Sequence, residues 1–318
     1  MTKVLANDGI SQSGIDTLEA AGFEVITQKV AQEQLANVIN EKDINVLLVR
    51  SATTARKELI DACPNLKLIG RGGVGMDNID VEYAKNKGLE VINTPAASSE
   101  SVAELVFAHL FNLVRFVYDS NRLMPLEGDT KFKDLKKAYA KGSELKGKKL
   151  GIIGFGRIGQ EVAKRAIGLG MEVIANDKFI KEADVELTFF DGQKTTFNIK
   201  TTSFEKVISE CDFLTLHIPK LSDKAVIGKE ELEMMKDGVG IVNAARGGVI
   251  DEEALLDALN SGKVSAAGLD VFDNEPTPKV KLLMQQNVSL TPHIGAATNE
   301  AQNRIGVELA DKIISYFN

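Results

Sequence analysis

The sequence predicts an α/β protein made of two parallel-sheet units, one inserted into the other. Three observations carry this. Short apolar runs alternate with helical segments along the chain. A glycine-rich turn, Gly154-Phe155-Gly156-Arg157-Ile158-Gly159, comes only near the middle of the 318 residues. The residues from Thr291 to the end open a helix but are too few to form a domain, so they are expected to return to the N-terminal unit.

Within the N-terminal segment, Val4-Leu5-Ala6, Phe23-Glu24-Val25-Ile26, Val46-Leu47-Leu48-Val49, Leu66-Lys67-Leu68-Ile69 and Glu90-Val91-Ile92 have the length and apolar content of buried strands. Helical segments such as Ser13–Ala21, Ala31–Ile39 and Val81–Lys87 separate them, which requires crossover connections and therefore a parallel sheet. Ser99-Glu100-Ser101-Val102-Ala103-Glu104 carries a capping signal for a long helix, with Leu105, Val106, His109, Leu110, Leu113 and Val114 along its apolar side. On that side His109 reads as a packed core or interface residue. The polar stretch from Asn121 to Lys149 reads as a loop or short helices.

The glycine turn joins the apolar run Lys149-Leu150-Gly151-Ile152-Ile153 to the helical segment Gln160–Ala166. A turn this tight needs residues without Cβ, and the N-terminus of the helix that follows offers unpaired N–H groups and partial positive charge to a pyrophosphate. Met171–Asn176 is the next strand, and Asp177 closes it. An acid there accepts hydrogen bonds from a ribose 2′-OH and repels a 2′-phosphate, which points to NAD as cofactor, although the adjacent Lys178 leaves room for NADP. Strand, glycines, helix, strand and acid in this order predict a Rossmann-type doubly wound parallel sheet. A second glycine cluster, Arg71-Gly72-Gly73-Val74-Gly75, has Asn78 where a third glycine would stand and reads as a loop lining a different pocket.

Val185 to Ile199 alternates around Asp191-Gly192, the signature of an added β-hairpin. The expected boundaries are 1–97 plus 291–318 for one unit and 98–290 for the other.

Composition narrows the function. With 44% hydrophobic residues the chain can build proper cores, and its net charge of −7 argues against nucleic-acid binding. No apolar stretch is long enough for a membrane span, and no signal peptide precedes the first strand, so a cytoplasmic protein is expected. Cys63 and Cys211 lie in no metal or disulfide spacing; free thiols and no metal are expected.

Four strand ends offer chemistry. His293 follows Leu290-Thr291-Pro292 and precedes Gly295, Ala296 and Ala297, which are small enough to let a ligand approach. Its imidazole suits moving a proton on and off a hydroxyl while hydride leaves the same carbon. Arg246 follows Asn243-Ala244-Ala245, and its planar fork matches a carboxylate; the alternative is a surface ion pair. Glu275 reads either as an ordinary turn acid or, if it reaches His293, as the partner that favours the imidazolium. Asp270 ends the strand Ala266–Leu269 and can hold a cofactor amide. His217, before Ile218 and Pro219, reads equally as a cofactor-side contact or a structural hydrogen-bonding group.

Taken together, Gly154–Gly159, Ala244-Ala245-Arg246-Gly247-Gly248-Val249-Ile250-Asp251, Gly268–Pro276 and Thr291–Ala296 resemble the motifs of the D-isomer-specific 2-hydroxyacid dehydrogenases. The resemblance covers nearly the whole chain. It implies a Rossmann domain inserted into a discontinuous flavodoxin-like substrate domain, with a cleft between them. It also implies His293 as acid/base, Glu275 as its partner and Arg246 as the clamp on the substrate carboxylate and carbonyl. Cofactor contacts are expected from Gly154, Gly156, Arg157, Ile158, Gly159, Asp177, His217, Pro219, Ala244, Ala245, Asp270, Gly295 and Ala296.

Within the family, Leu48–Thr53 and Ile69–Asn78 look most like the phosphoglycerate dehydrogenases. That likeness implies oxidation of 3-phospho-D-glycerate to 3-phosphohydroxypyruvate, the opening step of serine synthesis, with Arg50, Ser51, Arg71, Gly73, Val74 and Gly75 binding the substrate. A doubly charged phosphate needs cations beyond Arg246, and Arg50 and Arg71 both follow strands and so can face the cleft together; the alternative for either is a surface charge. Lys131, Lys133, Lys136 and Lys137 form a basic run that is either a further phosphate contact or merely solvated. A homodimer through residues 100–120 is expected from the resemblance. Because the chain ends at Asn318, serine feedback through a C-terminal regulatory domain is not expected. The rival readings are a glyoxylate or hydroxypyruvate reductase and an NAD-sensing corepressor-like binding protein.

Overall fold

The structure, a computed structural model, describes residues 1–220 and 222–318. It contains two compact units, Met1–Ser101 with Ala296–Asn318, and Val102–Gly295. The first unit alternates β1 (Lys3–Ala6), α1 (Gln12–Ala20), β2 (Glu24–Ile26), α2 (Leu35–Glu41), β3 (Val46–Val49), α3 (Lys57–Ala62), β4 (Leu68–Arg71), α4 (Val81–Asn86) and β5 (Glu90–Asn93). Its sheet is entirely parallel in the order β2-β1-β3-β4-β5, the flavodoxin-like order. Two elements depart from expectation. The helix expected over Ala31–Ile39 opens as a 3-10 turn, Gln32–Gln34, before α2 begins. The fourth strand lies two residues later than Leu66–Ile69, because the Leu66 N–H closes the turn after α3 on Cys63 O.

Next come α5 (Ser99–Arg115), α6 (Val117–Glu127), α7 (Phe132–Ala138), β6 (Lys149–Ile153), α8 (Arg157–Gly168), β7 (Glu172–Asn176), β8 (Glu182–Thr188), β9 (Lys194–Lys200) and α9 (Phe204–Glu210). They are followed by β10 (Phe213–Leu216), α10 (Lys229–Met234), β11 (Val239–Asn243), α11 (Glu252–Ser261), β12 (Val264–Leu269), α12 (Val280–Leu283) and β13 (Val288–Leu290). Helix α13 (Asn299–Phe317) then packs on α1 in the first unit. The crossing is close because Gly14 faces Gly306: a Cβ on Gly14 would stand 2.8 Å from the Gly306 carbonyl. Both chain crossings fall later than the boundaries 97/98 and 290/291. The first lies inside α5, and the second follows Gly295 because Asp270 binds the Ile294 and Gly295 N–H groups and keeps this segment on the second unit.

The second unit has six parallel strands in the order β13-β12-β11-β10-β6-β7. Where a further Rossmann strand would pair with β7, there is only a single parallel bridge, Ala175 to Thr201. The intervening chain forms the antiparallel hairpin β8–β9, in register from Glu182 opposite Lys200 to Thr188 opposite Lys194. Val185 is its buried anchor, while Phe190 at the tip is fully exposed.

Both faces of this sheet are apolar, as an all-parallel sheet requires. One face packs Val207, Leu214 and Ile241 against Leu255, and the other packs Ile152, Phe155 and Val162 against Leu110. Each fully buried aliphatic side chain contributes roughly 1.5–3 kcal/mol, which makes the sheet a rigid platform for the loops at its strand ends. Cys63 and Cys211 are both buried free thiols, pushed by burial up to about 11 and about 12. Among the described residues no single helix is long and apolar enough to cross a membrane.

Candidate active site and dinucleotide site

The three glycines of the turn after β6 divide two jobs between them. Gly154 has φ 92°, and a Cβ there would lie 2.5 Å from His217 O. Gly159 lies against the Gly154 carbonyl, where a Cβ would stand 2.2 Å from the oxygen. At Gly156, the N-cap of α8, a Cβ would meet nothing within 4 Å. Gly154 and Gly159 thus make the turn tight, and Gly156 leaves open space at a helix N-terminus that no side chain caps. That space, beside Arg157 and Ile158, suits a pyrophosphate.

Asp177 closes the far side of the turn. Its Oδ2 accepts from Phe155 N (2.7 Å), and its Oδ1 accepts from Phe179 N (2.8 Å) and Ile180 N (3.0 Å). Burial pushes the carboxyl up, but the N–H groups of Ile180, Phe179 and Phe155 outweigh it and hold it below the usual carboxylate range. Lys178 lies over the Phe179 ring. His217 follows β10, with Nε2 3.1 Å from Thr215 Oγ1 and with Nδ1 buried and lacking a hydrogen-bond partner among the described residues. Burial pushes its imidazole down to about 3, so it is neutral at physiological pH. Pro219, two residues on, is exposed.

Arg246 stands on a turn that Asn243, buried at the end of β11, builds. Asn243 Nδ2 donates to Arg246 O (2.9 Å), and its Oδ1 accepts from Ala245 N (3.1 Å). The guanidinium Nη1 donates to Ala245 O at 2.6 Å. Ala244 and Ala245 leave no bulk beside it. Sequence reasoning passed over Asn243, although an Asn before two alanines at a strand end is a turn signal.

Beyond β12, Asp270 is 1% exposed. Its Oδ1 accepts from Thr291 Oγ1 (2.6 Å) and Ile294 N (2.7 Å), and its Oδ2 from Gly295 N (2.8 Å). The following loop carries Glu275, whose Oε1 accepts from Phe272 N (3.0 Å). Glu252 at the start of α11 steadies this loop by accepting from Asp273 N (2.8 Å). Glu275 Oε2 lies 2.8 Å from His293 Nδ1, so the acid does reach the histidine. Because a carboxylate can only accept, His293 Nδ1 carries the proton and the neutral ring keeps a free lone pair on Nε2. His293 has φ 54°, an uncommon backbone for a residue with a side chain. Phe272, Glu275, Pro276, Thr291, Pro292 and His293 line a cavity of about 360 Å³.

The first unit holds the remaining expected residues. Val49 is opposite Arg71 in the β3–β4 ladder, so Arg50 and Arg71 stand at the carboxyl ends of neighbouring strands. Asp8 braces the first by accepting from Arg50 N (2.7 Å), Thr53 N (3.0 Å) and Thr53 Oγ1 (2.7 Å). Arg50 and Ser51, with Asp8 and Lys29, line a cavity of about 410 Å³. Arg71 is not in that lining; its guanidinium covers Gly73, where a Cβ would collide with it. Asn93 Nδ2 donates to Val74 O (2.7 Å) and holds the loop leading to Gly75. Ala296 O accepts from Gln302 Nε2 (2.6 Å). Of the basic run, Lys131 pairs with Glu127 at 3.1 Å. Lys29 was missed because a lone lysine after a short edge strand carries no sequence signal.

The family model for the NAD binding domain of D-isomer specific 2-hydroxyacid dehydrogenases matches residues 107–295. The chain belongs to this family. This 2-hydroxyacid dehydrogenase is 45% identical to a hydroxypyruvate reductase of Thermotoga maritima, over 98% of this chain and 97% of that protein. It is 42% identical to a D-3-phosphoglycerate dehydrogenase of Methanocaldococcus jannaschii over 98% of its own length, but spans only 57% of that relative. A glyoxylate reductase structure from Paecilomyes thermophila superposes with a TM-score of 0.83 at 30% identity, covering 100% of this chain and 95% of that one. The dehydrogenase is an oxidoreductase, and its cofactor is NAD.

Proposed function

We propose that this dehydrogenase oxidises 3-phospho-D-glycerate at C2 to 3-phosphohydroxypyruvate, the first step of serine synthesis. The observation that carries the catalytic reading is the 2.8 Å contact between His293 and Glu275, which leaves the Nε2 lone pair of His293 available as a base. His293 takes the hydroxyl proton, Glu275 orients and stabilises the imidazolium that results, and Arg246 holds the carboxylate and polarises the nascent carbonyl oxygen. Bound NAD would supply the acceptor for the hydride leaving C2. Gly154, Gly156, Arg157, Ile158, Gly159 and Asp177 would hold its adenosine diphosphate half. His217, Pro219, Ala244, Ala245, Gly295 and Ala296 would line it, and Asp270 would accept from its carboxamide.

Arg50, Ser51, Arg71, Gly73, Val74 and Gly75 bind the substrate in this reading. Their place at the carboxyl ends of parallel strands, where α/β sheets take ligands, supports it. The paired arginines supply the cations that a phosphorylated acid needs. A homodimer in the cytoplasm belongs to the same proposal; exposed Phe111, Val117, Leu126 and Phe132 on α5–α7 support the dimer.

The full-length match to a hydroxypyruvate reductase favours a second reading, in which the substrate is the unphosphorylated acid. NADH formation with 3-phosphoglycerate, D-glycerate and D-lactate at equal concentrations decides between them. Selective turnover of the phosphorylated acid, lost on Arg50→Ala, supports the first. Preference for D-glycerate, with tolerance of Arg50→Ala, replaces it with the second.

A further inference from the structure

His109 is not simply a packed residue. It is 1% exposed on α5, with Nδ1 2.9 Å from Ser289 Oγ and Nε2 3.0 Å from Thr291 Oγ1. Thr291 Oγ1 is in turn 2.6 Å from Asp270 Oδ1. The room for the ring comes from Gly268 on β12, where a Cβ would fall 2.6 Å from His109 Cβ and 2.9 Å from its Cγ.

Counting donors gives this chain a direction. The Asp270 carboxylate only accepts, so Thr291 donates its single hydroxyl proton there and has only lone pairs for His109. His109 must therefore donate from Nε2–H. A neutral ring has one N–H, so Nδ1 accepts from Ser289. Burial lowers the His109 pKa against the opposing attraction of Asp270, which keeps the ring neutral and the direction intact. With Thr291, Ile294 and Gly295 donating to it, Asp270 is fixed in place, with acceptor capacity remaining on Oδ2.

We infer that His109 is a positioning residue: the relay Ser289→His109→Thr291→Asp270 orients the Asp270 carboxylate toward the nicotinamide end of the cofactor. This rests on the proposed contact between Asp270 and the nicotinamide carboxamide. The relay also ties β13 to β12, so the strand that leads into His293 is aligned with the one that leads into Glu275.

The test compares two ligands that differ in the nicotinamide, NADH and ADP-ribose, by titration calorimetry. His109→Phe and Thr291→Val are each expected to weaken NADH binding about tenfold and leave ADP-ribose within about twofold, because Thr291→Val removes the hydrogen bond to the carboxylate and His109→Phe removes the donor that commits the Thr291 proton to it. The double variant should be no weaker than either single one. His109→Gln, which keeps an N–H donor, should recover part of the loss. Nitrogen NMR of the wild-type imidazole should show the proton on Nε2. A proton on Nδ1, or equal weakening of both ligands, overturns the relay. Asp270→Asn separates the two layers of the argument. If it weakens NADH alone while the His109 and Thr291 variants do nothing, only the relay fails; if it weakens neither ligand, the placement of Asp270 fails and the relay's role falls with it. Thr291→Val preserves shape, so the test survives a His109→Phe that does not fold.

Discussion

Gly247 rests on the backbone carbonyl of Phe272: a Cβ at 247 would stand 1.9 Å from Phe272 O and 2.3 Å from its carbonyl carbon. Phe272 N also donates to Glu275. The turn that carries Arg246 and the loop that carries Glu275 are therefore fitted to each other through backbone, with no flexible side chain to yield. Gly247→Ala is expected to destabilise the protein by about 1–3 kcal/mol and to lower kcat by roughly tenfold or more, because either the turn or the loop must move. Gly168→Ala, at the end of α8 with nothing within 4 Å of its Cβ, is the control and should leave both unchanged or slightly raise stability. Thermal unfolding and steady-state kinetics on the two variants check this.

The His293–Glu275 pair makes two different predictions. His293→Asn removes the proposed base and should lower kcat by roughly two to four orders of magnitude while NADH affinity holds. Glu275→Gln keeps the shape but not the proton direction. Its carbonyl can still accept from Phe272 N, which turns its NH₂ toward His293 Nδ1. The ring then carries its proton on Nε2, where it cannot accept one. A fall in kcat of roughly one to two orders of magnitude is expected, with little change in Tm. Equal turnover by Glu275→Gln and wild type would leave Glu275 a loop residue only.

Much of this site could be read from sequence because strand ends in parallel sheets carry the chemistry and glycines mark where the backbone must come close. The order β6, turn, α8, β7, Asp177 is written in residue types, and so is the hairpin around Asp191-Gly192. What sequence concealed is the layer that holds those groups. Asn243, Thr291 and Ser289 look like ordinary polar residues, and His109 looks like core, because their meaning lies in partners distant along the chain: His109 meets Thr291 across 182 positions. The chain crossing after Gly295 was hidden for the same reason. Thr291-Pro292-His293 begins no regular element, and bonds to Asp270, Glu275 and His109, all distant along the chain, keep it on the second unit.

Asp177 should prove structural as well as cofactor-binding. Three backbone N–H groups converge on both its oxygens, so Asp177→Asn sets an NH₂ against an N–H donor, at a cost of about 1–3 kcal/mol. NAD affinity should fall, and discrimination against NADP with it. The stability effect has a definite pH sign. A carboxyl held below its usual range contributes stability that is present above the unfolded pKa and is lost as pH falls through the folded one. The Tm gap between wild type and Asp177→Asn is therefore widest near neutral pH and closes in strong acid. A gap that persists unchanged at pH 3 would assign the loss to something other than the carboxylate.

His217 titrates in the opposite sense. In the unfolded chain its imidazole takes up a proton near pH 6.5, whereas in the folded protein burial delays protonation to about pH 3. Between these values the unfolded state binds more protons, so stability falls as pH is lowered through that window and is fully retained above it. His109, lowered by burial in the same way, adds to the effect. Wild-type Tm should therefore decline from pH 7 toward pH 4.5, before the carboxylates protonate. His217→Asn, which cannot charge, should have a lower Tm at neutral pH from the lost packing but a flatter slope across that window. Parallel Tm profiles for the two proteins would show that His217 carries the same charge in the folded and unfolded states, and would remove burial of the imidazole as the source of acid sensitivity.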